Sequence, residues 1–415
     1  MEKSGKFRLT SLERNWILYD VGNSAFVLMV ATLIPIFFNA LAAAGGLSSV
    51  EYLAYWGYAS SAVTIITAVL SPILGTVADT KGFKKPIFIL CVFVGIVGCC
   101  AMGAVSAWLP FLVIFVIAKV GFSGSLVFYD SMLSDVTTPE RMDEVSSRGY
   151  AWGYIGSCVP FVVCLGLVLG AGSIGISQMT ALNLALLLTA AWWLLTTLPL
   201  LKSYKQLYYV EVEKHAVRQS FARIGHTLRH LPEDKQVFWF LLAFFCYIDG
   251  VYTIIDMATA YGTALDLDTT GLLLALLVTQ IVAFPSALVF GRLSNKYPSA
   301  KLIPVCIAAY AGIAVFAFFL TRQWQFWVLA VIVGMFQGGV QALSRSHFAK
   351  IIPPEKSGEY FGLFDICGKG ASFLGTMIVS VGSQLTGSAN VGVGSLIVLF
   401  IVGFVLFRVS CRQSE

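Results

Sequence analysis

Windows of about 20 predominantly apolar residues recur twelve times along this chain, at 15–42, 52–78, 86–106, 109–132, 147–171, 178–200, 236–262, 269–293, 301–321, 325–349, 358–384 and 390–409. A lipid-embedded backbone must satisfy its own hydrogen bonds, so only helices and closed barrels span a bilayer. Windows of this length fit helices. The chain is 58% hydrophobic and 12% charged, against about 25% charged for a soluble domain. The expectation is an all-α, multi-pass membrane protein with twelve transmembrane helices. The first window is too long for the roughly 7–15-residue core of a signal peptide and contains Asp20 and Asn23. It reads as a retained first span.

Charge orients the spans. With twelve of them both termini lie on one side. The loops of that side receive 24 of the 27 Lys and Arg, Arg345 counted among them. The opposite loops hold Arg322, while Lys119 and Lys369 fall inside spans. The positive-inside rule then places both termini in the cytoplasm. The net charge of +5 comes from these membrane-flanking residues and does not point to nucleic acid. Nine cysteines lie scattered, mostly within apolar runs and without a CxxC pair, as small hydrophobes of a helical core do. In the polar stretch Lys202 to Lys235, His226 and His230 are i, i+4, with His215 upstream. No carboxylate or cysteine clusters with them, so a basic surface helix is favoured over a metal site. His347 reads as structural. No nucleophile–base pair, phosphate loop or metal cluster suggests an enzyme, and no cofactor is expected.

The halves look like copies. Gly75-Thr-Val-Ala-Asp79-Thr-Lys-Gly82-Phe-Lys84-Lys85 follows the second span, and Gly291-Arg-Leu-Ser-Asn295-Lys296 follows the eighth. Pro139-Glu140 follows the fourth span and Pro354-Glu355 the tenth. Two pseudo-symmetric six-helix bundles in parallel repeat are the architecture of a major facilitator transporter. The boundaries read as 1–201 for the first bundle, 202–235 for a cytoplasmic linker and 236–415 for the second.

Charges inside spans are rare and mark pathways. Asp365 and Lys369 share one face of the eleventh span at i, i+4. Lys369, Lys119 and Asp249 fall at similar depth. Asp249 lies about 13 residues into the seventh span, or roughly 20 Å. Asp256 is seven residues on, with Tyr252 between them on the same stripe. Two carboxylates on one buried face suit proton or cation binding, because removal from water favours the neutral acid; helix packing or salt bridging is the alternative. A buried lysine costs far less when paired, so one or both lysines should meet a carboxylate across the cavity. Asp365 can instead pair with Lys369 locally. Asp20, Asn23 and Ser24 form a polar stripe on the first span. Lys119 and Asp130 share a face of the fourth.

The Gly75–Lys85 loop resembles the signature between helices two and three throughout the major facilitator superfamily. That resemblance implies a gating loop made by Gly75, Asp79, Gly82, Lys84 and Lys85. In this loop Asp79 can cap a facing helix, and the lysines can pair with carboxylates or lipid headgroups. Trp16-Ile-Leu-Tyr-Asp-Val-Gly-Asn-Ser-Ala-Phe26, the run 145–156, Tyr247-Ile-Asp-Gly250, the run 341–346 and the run 359–375 resemble the autophagy-related vacuolar effluxer-like permeases. That family implies a transporter, and for its fungal members amino-acid efflux. Tyr129-Asp130 stands where the family pattern has Tyr-Asn.

The expected function is therefore secondary active transport of a small polar, amino acid-like solute by alternating access, coupled to a proton or cation. Asp249 and Asp256 are the coupling candidates. Asp20, Asn23, Lys119, Asp130, Tyr252, Asp365 and Lys369 are the candidates for the substrate cavity. A sugar–cation symporter, a lipid or amphiphile transporter and a transport-dead sensor or scaffold are the alternatives. Short loops without an Asn-x-Ser/Thr sequon fit a bacterial inner membrane, and a monomer is expected.

Overall fold

The structure is a computed structural model that describes residues 7–211, 225, 227, 229–265 and 267–413. His215 and His226 of the central polar stretch lie outside the described residues.

Among the described residues, twelve long helices follow one another. α1 (Ser11–Ala31) runs on as Leu33–Ala44 after an interruption at Thr32. Then come α2 (Ser49–Ala78), α3 (Lys84–Met102), α4 (Trp108–Ser131), α5 (Met142–Leu169) and α6 (Gln178–Ser203). The second half has α7 (Lys235–Ala264), α8 (Thr269–Leu293), α9 (Ser299–Phe318), α10 (Gln323–Ile351), α11 (Ser357–Thr386) and α12 (Ile397–Arg412). Eleven described stretches are long and apolar enough to cross a membrane. The remaining long helix is α11, 30 residues that carry Glu359, Asp365 and Lys369.

Local chemistry sets the helix ends. Thr10 caps α1 in a reciprocal box with Glu13, and Ser48 caps α2 the same way with Glu51, so orphan backbone N–H groups are satisfied at both starts. α3 packs on α4 and α6, and α9 on α10 and α12. The outer faces of these peripheral helices expose Leu90, Phe93, Leu195, Val305, Ile401 and Val405. Side chains of that kind in such numbers belong against lipid rather than water.

The halves meet where α2 packs on α11 and where α5 packs on α8 and α10. The α2–α11 crossing needs glycine. A Cβ on Gly358 would come 2.6 Å from the Gly75 carbonyl oxygen, and one on Gly362 would come 2.6 Å from Pro72 Cα. Small residues let membrane helices approach this closely. Hydrogen bonds join the halves from mid-bundle, at Tyr154–Gln341, down to the face that carries the chain termini. The molecule is thus closed on that terminal face.

Candidate functional site

α10 presents Gln337, Gln341 and Arg345 on one face, four residues apart. Arg345 is 2% exposed and enters a socket built by the first half. Its Nη1 donates to Asp130 Oδ1 at 2.9 Å and lies 3.8 Å from Asp20 Oδ2. Its Nε donates to Ser146 Oγ at 2.9 Å and Nη2 to the Ser146 carbonyl at 3.0 Å. Three aromatic rings face the guanidinium, with centroids 4.3 Å (Tyr150), 4.7 Å (Trp16) and 5.4 Å (Tyr129) away. Trp16 and Tyr129 are stacked at 4.3 Å. Gly149 leaves room here, since a Cβ would sit 3.1 Å from both Arg345 Nη2 and Asp20 Oδ2. This corrects the reading of Arg345 as a loop charge: it is a buried bridge between the halves. The sequence signal that could have found it is the Gln337/Gln341/Arg345 stripe in an otherwise apolar helix.

Above this floor the charges are more open. Asp256 on α7 is exposed, and the Lys119 ammonium on α4 acts on it electrostatically. Lys119 is half-buried, over the Phe122 ring at 4.7 Å and the Phe26 ring at 6.0 Å. Tyr252 lies within electrostatic reach of Asp130, Asp256, Asp365 and Arg345. Asn23 is buried and donates to the Tyr19 carbonyl at 3.0 Å, which ties it into α1. Asp365 accepts the Ser71 hydroxyl at 2.7 Å and so joins α11 to α2.

Asp249 is placed differently from Asp256. It is fully buried within the second half, and both of its oxygens lie 2.9 Å from the Gly375 backbone nitrogen of α11. The Thr253 hydroxyl is 3.3 Å from Oδ1. A Cβ on residue 375 would come 2.7 Å from Asp249 Oδ1, so glycine permits the contact. Among the described residues, Asp249 bonds the α11 backbone and Thr253. Lys369 stands in α11, but its side chain lies outside the described ones.

Below the floor, the terminal face is fastened in two related ways. Asp79, fully buried, accepts the N–H of Gly358 at 2.7 Å and of Glu359 at 2.8 Å. A carboxylate at a helix N-terminus satisfies orphan donors and meets the positive end of the dipole. Lys84 Nζ donates to Ser357 Oγ at 2.9 Å and to Asp135 Oδ2 at 3.4 Å, and lies 3.9 Å from Asp79 Oδ1. Gly82 turns the loop at φ +81°, a conformation that suits glycine. Lys85 is half-buried. In the second half, Asn295 stands where Asp79 stands in the first. Its Nδ2 donates to Glu144 Oε2 near the start of α5 at 2.8 Å. Asp143 beside it accepts Ser346 Oγ and pairs with Lys350, each at 2.6 Å. His347 packs between Phe240 and Phe407, 3.1 Å from Ser299 Oγ.

The segment after α6 is part of this assembly. Asp135 Oδ1 accepts the N–H of Leu207 and of Tyr208 at 2.9 Å each, and Oδ2 accepts the Tyr204 hydroxyl at 2.6 Å. Val210 pairs with Thr80 as a short parallel bridge. Within the stretch read as linker, Leu207 and Tyr208 are thus tied to the α4–α5 connection and Val210 to the α2–α3 loop. Asp135, Glu144 and Tyr204 were missed because each lies at a helix end, where a polar residue carries no special signal in the sequence.

The described residues thus form twelve long helices in two halves that are hydrogen-bonded together across one face. The chain is 42% identical over 404 residues to the MFS-type transporter YxiO of Bacillus subtilis (strain 168), covering 96% of this chain and 94% of that one. It is 25% identical over 315 residues to Autophagy-related protein 22 of Coccidioides immitis (strain RS), covering 65% of this chain and 51% of that protein. It therefore spans about half the length of that fungal relative. The structure of the human organic anion transporter MFSD10 (TETRAN) superposes with a TM-score of 0.73 at 14% identity, over 95% of this chain and 98% of that one. Residues 11–414 match the family model described as "Vacuole effluxer Atg22 like", and the chain belongs to that family, with the major facilitator fold.

Proposed function

We propose that this transporter moves a small zwitterionic, amino acid-like solute out of the cytoplasm across a bacterial cell membrane, working as a monomer and driven by protons. The observation that carries this reading is the opposition of Lys119 on the first half and Asp256 on the second across the cleft. A zwitterion satisfies both charges at once, and closure of the halves brings them together on it. Tyr252, within electrostatic reach of Asp256 and Arg345, offers a hydroxyl for the polar part of the solute. The terminal face is cytoplasmic in this reading, since it carries the bulk of the lysine and arginine. Asp79 and Lys84 form the latch that holds the outward-open state. Asp249 is the coupling site. A buried carboxylate is costly to keep charged, and among the described residues the Gly375 N–H and the Thr253 hydroxyl bond it. A proton removes that cost.

Proteoliposomes with an imposed pH gradient test the proposal. Accumulation of a labelled amino acid that collapses with the gradient is the expected result. No movement of any amino acid, under either polarity of the gradient or in exchange, overturns it.

A further inference from the structure

The Arg345 socket has a chemistry of its own. Among the described residues, those that hold the guanidinium all come from the first half: Asp20 and Trp16 on α1, Tyr129 and Asp130 on α4, Ser146 and Tyr150 on α5. Arg345 itself comes from the second half. When the halves part on the terminal face, the arginine must leave with α10. The socket left behind has two carboxylates, three aromatic faces, a hydroxyl and a carbonyl oxygen. Those are the parts of a receptor for an organic cation.

We propose that this vacated socket binds the cationic group of the solute, a guanidinium or primary ammonium, and that Arg345 is a built-in competitor for it. The inference deepens the transport reading above and rests on it only for the alternating-access step. Two carboxylates stripped of their cation in a low-dielectric site are costly, so a positive charge must replace Arg345 as it withdraws. A proton could balance one carboxylate. It would not use the rings of Trp16, Tyr129 and Tyr150, which recognise a larger cation through their faces. Asp130 keeps 20% of its side chain exposed even with Arg345 seated, so the socket is reachable. Among the described residues, Asp365, Tyr252 and Asp20 are the other ionisable groups that act on Asp130 or its neighbours from α11, α7 and α1. The cycle follows from displacement. With the terminal face open, the solute cation sits between Asp20 and Asp130. As the face closes, Arg345 returns and pushes that cation up into the cleft, toward Asp256. The net charge in the socket stays constant throughout, so closing never strands the carboxylates. Basic amino acids and related amines are then the preferred class.

The test uses Arg345→Ala in the full-length protein, with methylguanidinium chloride as the probe and sodium chloride at matched ionic strength as the control. Millimolar methylguanidinium should raise the melting temperature of the variant by about 2–4 °C. It should leave the wild type, whose socket is filled, and the double variant Arg345→Ala/Asp130→Asn unmoved. Stabilisation of Arg345→Ala by acidification alone, with no response to methylguanidinium, overturns the proposal in favour of a proton. An equal response in the double variant overturns it as well. If the variant does not fold, counterflow by the wild-type protein decides instead. Labelled arginine or lysine should exchange at least tenfold faster than leucine. Exchange of leucine without arginine or lysine sinks the socket while leaving amino-acid transport standing. Exchange of none of them counts against both.

Discussion

Asp79 at the end of α2 accepts the Gly358 N–H at 2.7 Å, so a carboxylate of one half caps a helix of the other. The same carboxylate takes the Glu359 N–H and sits beside Lys84. Closure of the terminal face thus creates its own hydrogen bonds rather than merely burying surface.

Asp79→Asn keeps the shape and removes the charge. One amide oxygen can still accept, but the NH2 group now faces a backbone N–H. Loss of a charge-assisted bond costs about 1.5–3 kcal/mol, and each 1.4 kcal/mol is tenfold in an equilibrium. The open population should rise about ten- to a hundredfold. Spin labels on the α2–α3 and α10–α11 loops report it as a longer distance component. An unchanged distance distribution would show that the latch does not hold this face.

Two glycines near that latch should behave oppositely. Gly358→Ala puts a methyl against the Gly75 carbonyl and Asp79 Oδ1, at 2.6 and 2.8 Å. Helix-on-helix backbone contact cannot relax as a flexible side chain does, and overpacking of this kind costs about 1–3 kcal/mol. The variant should open the terminal face. Gly82→Ala meets no neighbouring atom within 4 Å, though its φ of +81° is unfavourable for alanine. It should cost thermal stability and leave the inter-label distance where it is. The same response from both would mean that loop strain, not the crossing, sets the closed state.

Much of this architecture can be read in the chain. Twelve apolar windows and the basic loops on one side follow from lipid physics, and the 215- and 216-residue offsets mark the repeat. The Gly75–Lys85 loop stood out by its resemblance to a superfamily signature, and in the structure its Asp79 caps the start of α11. What could not be read is which face of each helix meets which neighbour. Asp249 and Asp256 are seven residues apart and nearly in phase, yet one packs against the α11 backbone and the other is exposed. That difference depends on where α11 crosses α7, a tertiary fact fixed by Gly375. Arg345 was hidden for a related reason. A basic residue near a helix end looks like a membrane-flanking charge, and only the assembled first half reveals its socket.

The post-α6 segment gives a third prediction. Asp135 gathers the Tyr204 hydroxyl, the N–H groups of Leu207 and Tyr208, and Lys84. Tyr204→Phe deletes one charge-assisted bond and little volume. Amide hydrogens at 207–210 should exchange about tenfold faster, for the loss of roughly 1.5 kcal/mol. Asp135→Asn should accelerate them further and loosen the α2–α3 loop with them. If exchange at 207–210 is already as fast as in free peptide in the wild type, the segment is not fastened there.

The coupling assignment separates two carboxylates of one helix. Asp249 is fully buried and bonded to the Gly375 N–H and the Thr253 hydroxyl, whereas Asp256 is exposed and acted on by Lys119. Asp249→Asn fixes the neutral form of the side chain without changing its size. Proton-driven accumulation should vanish, while solute exchange at equal pH on both sides continues, because exchange needs no net proton movement. Exchange by the variant should also lose any dependence on pH that titration of residue 249 gives the wild type. Asp256→Asn instead removes the partner of a positive group in the cleft. It should raise KM about tenfold, for the loss of a charge-assisted contact near 1.4 kcal/mol, and leave accumulation coupled to the gradient. Initial-rate uptake in proteoliposomes, with and without a pH gradient, reads both quantities. If Asp249→Asn still accumulates solute and Asp256→Asn does not, the coupling proton belongs to the cleft carboxylate, and the buried contact with Gly375 is packing alone.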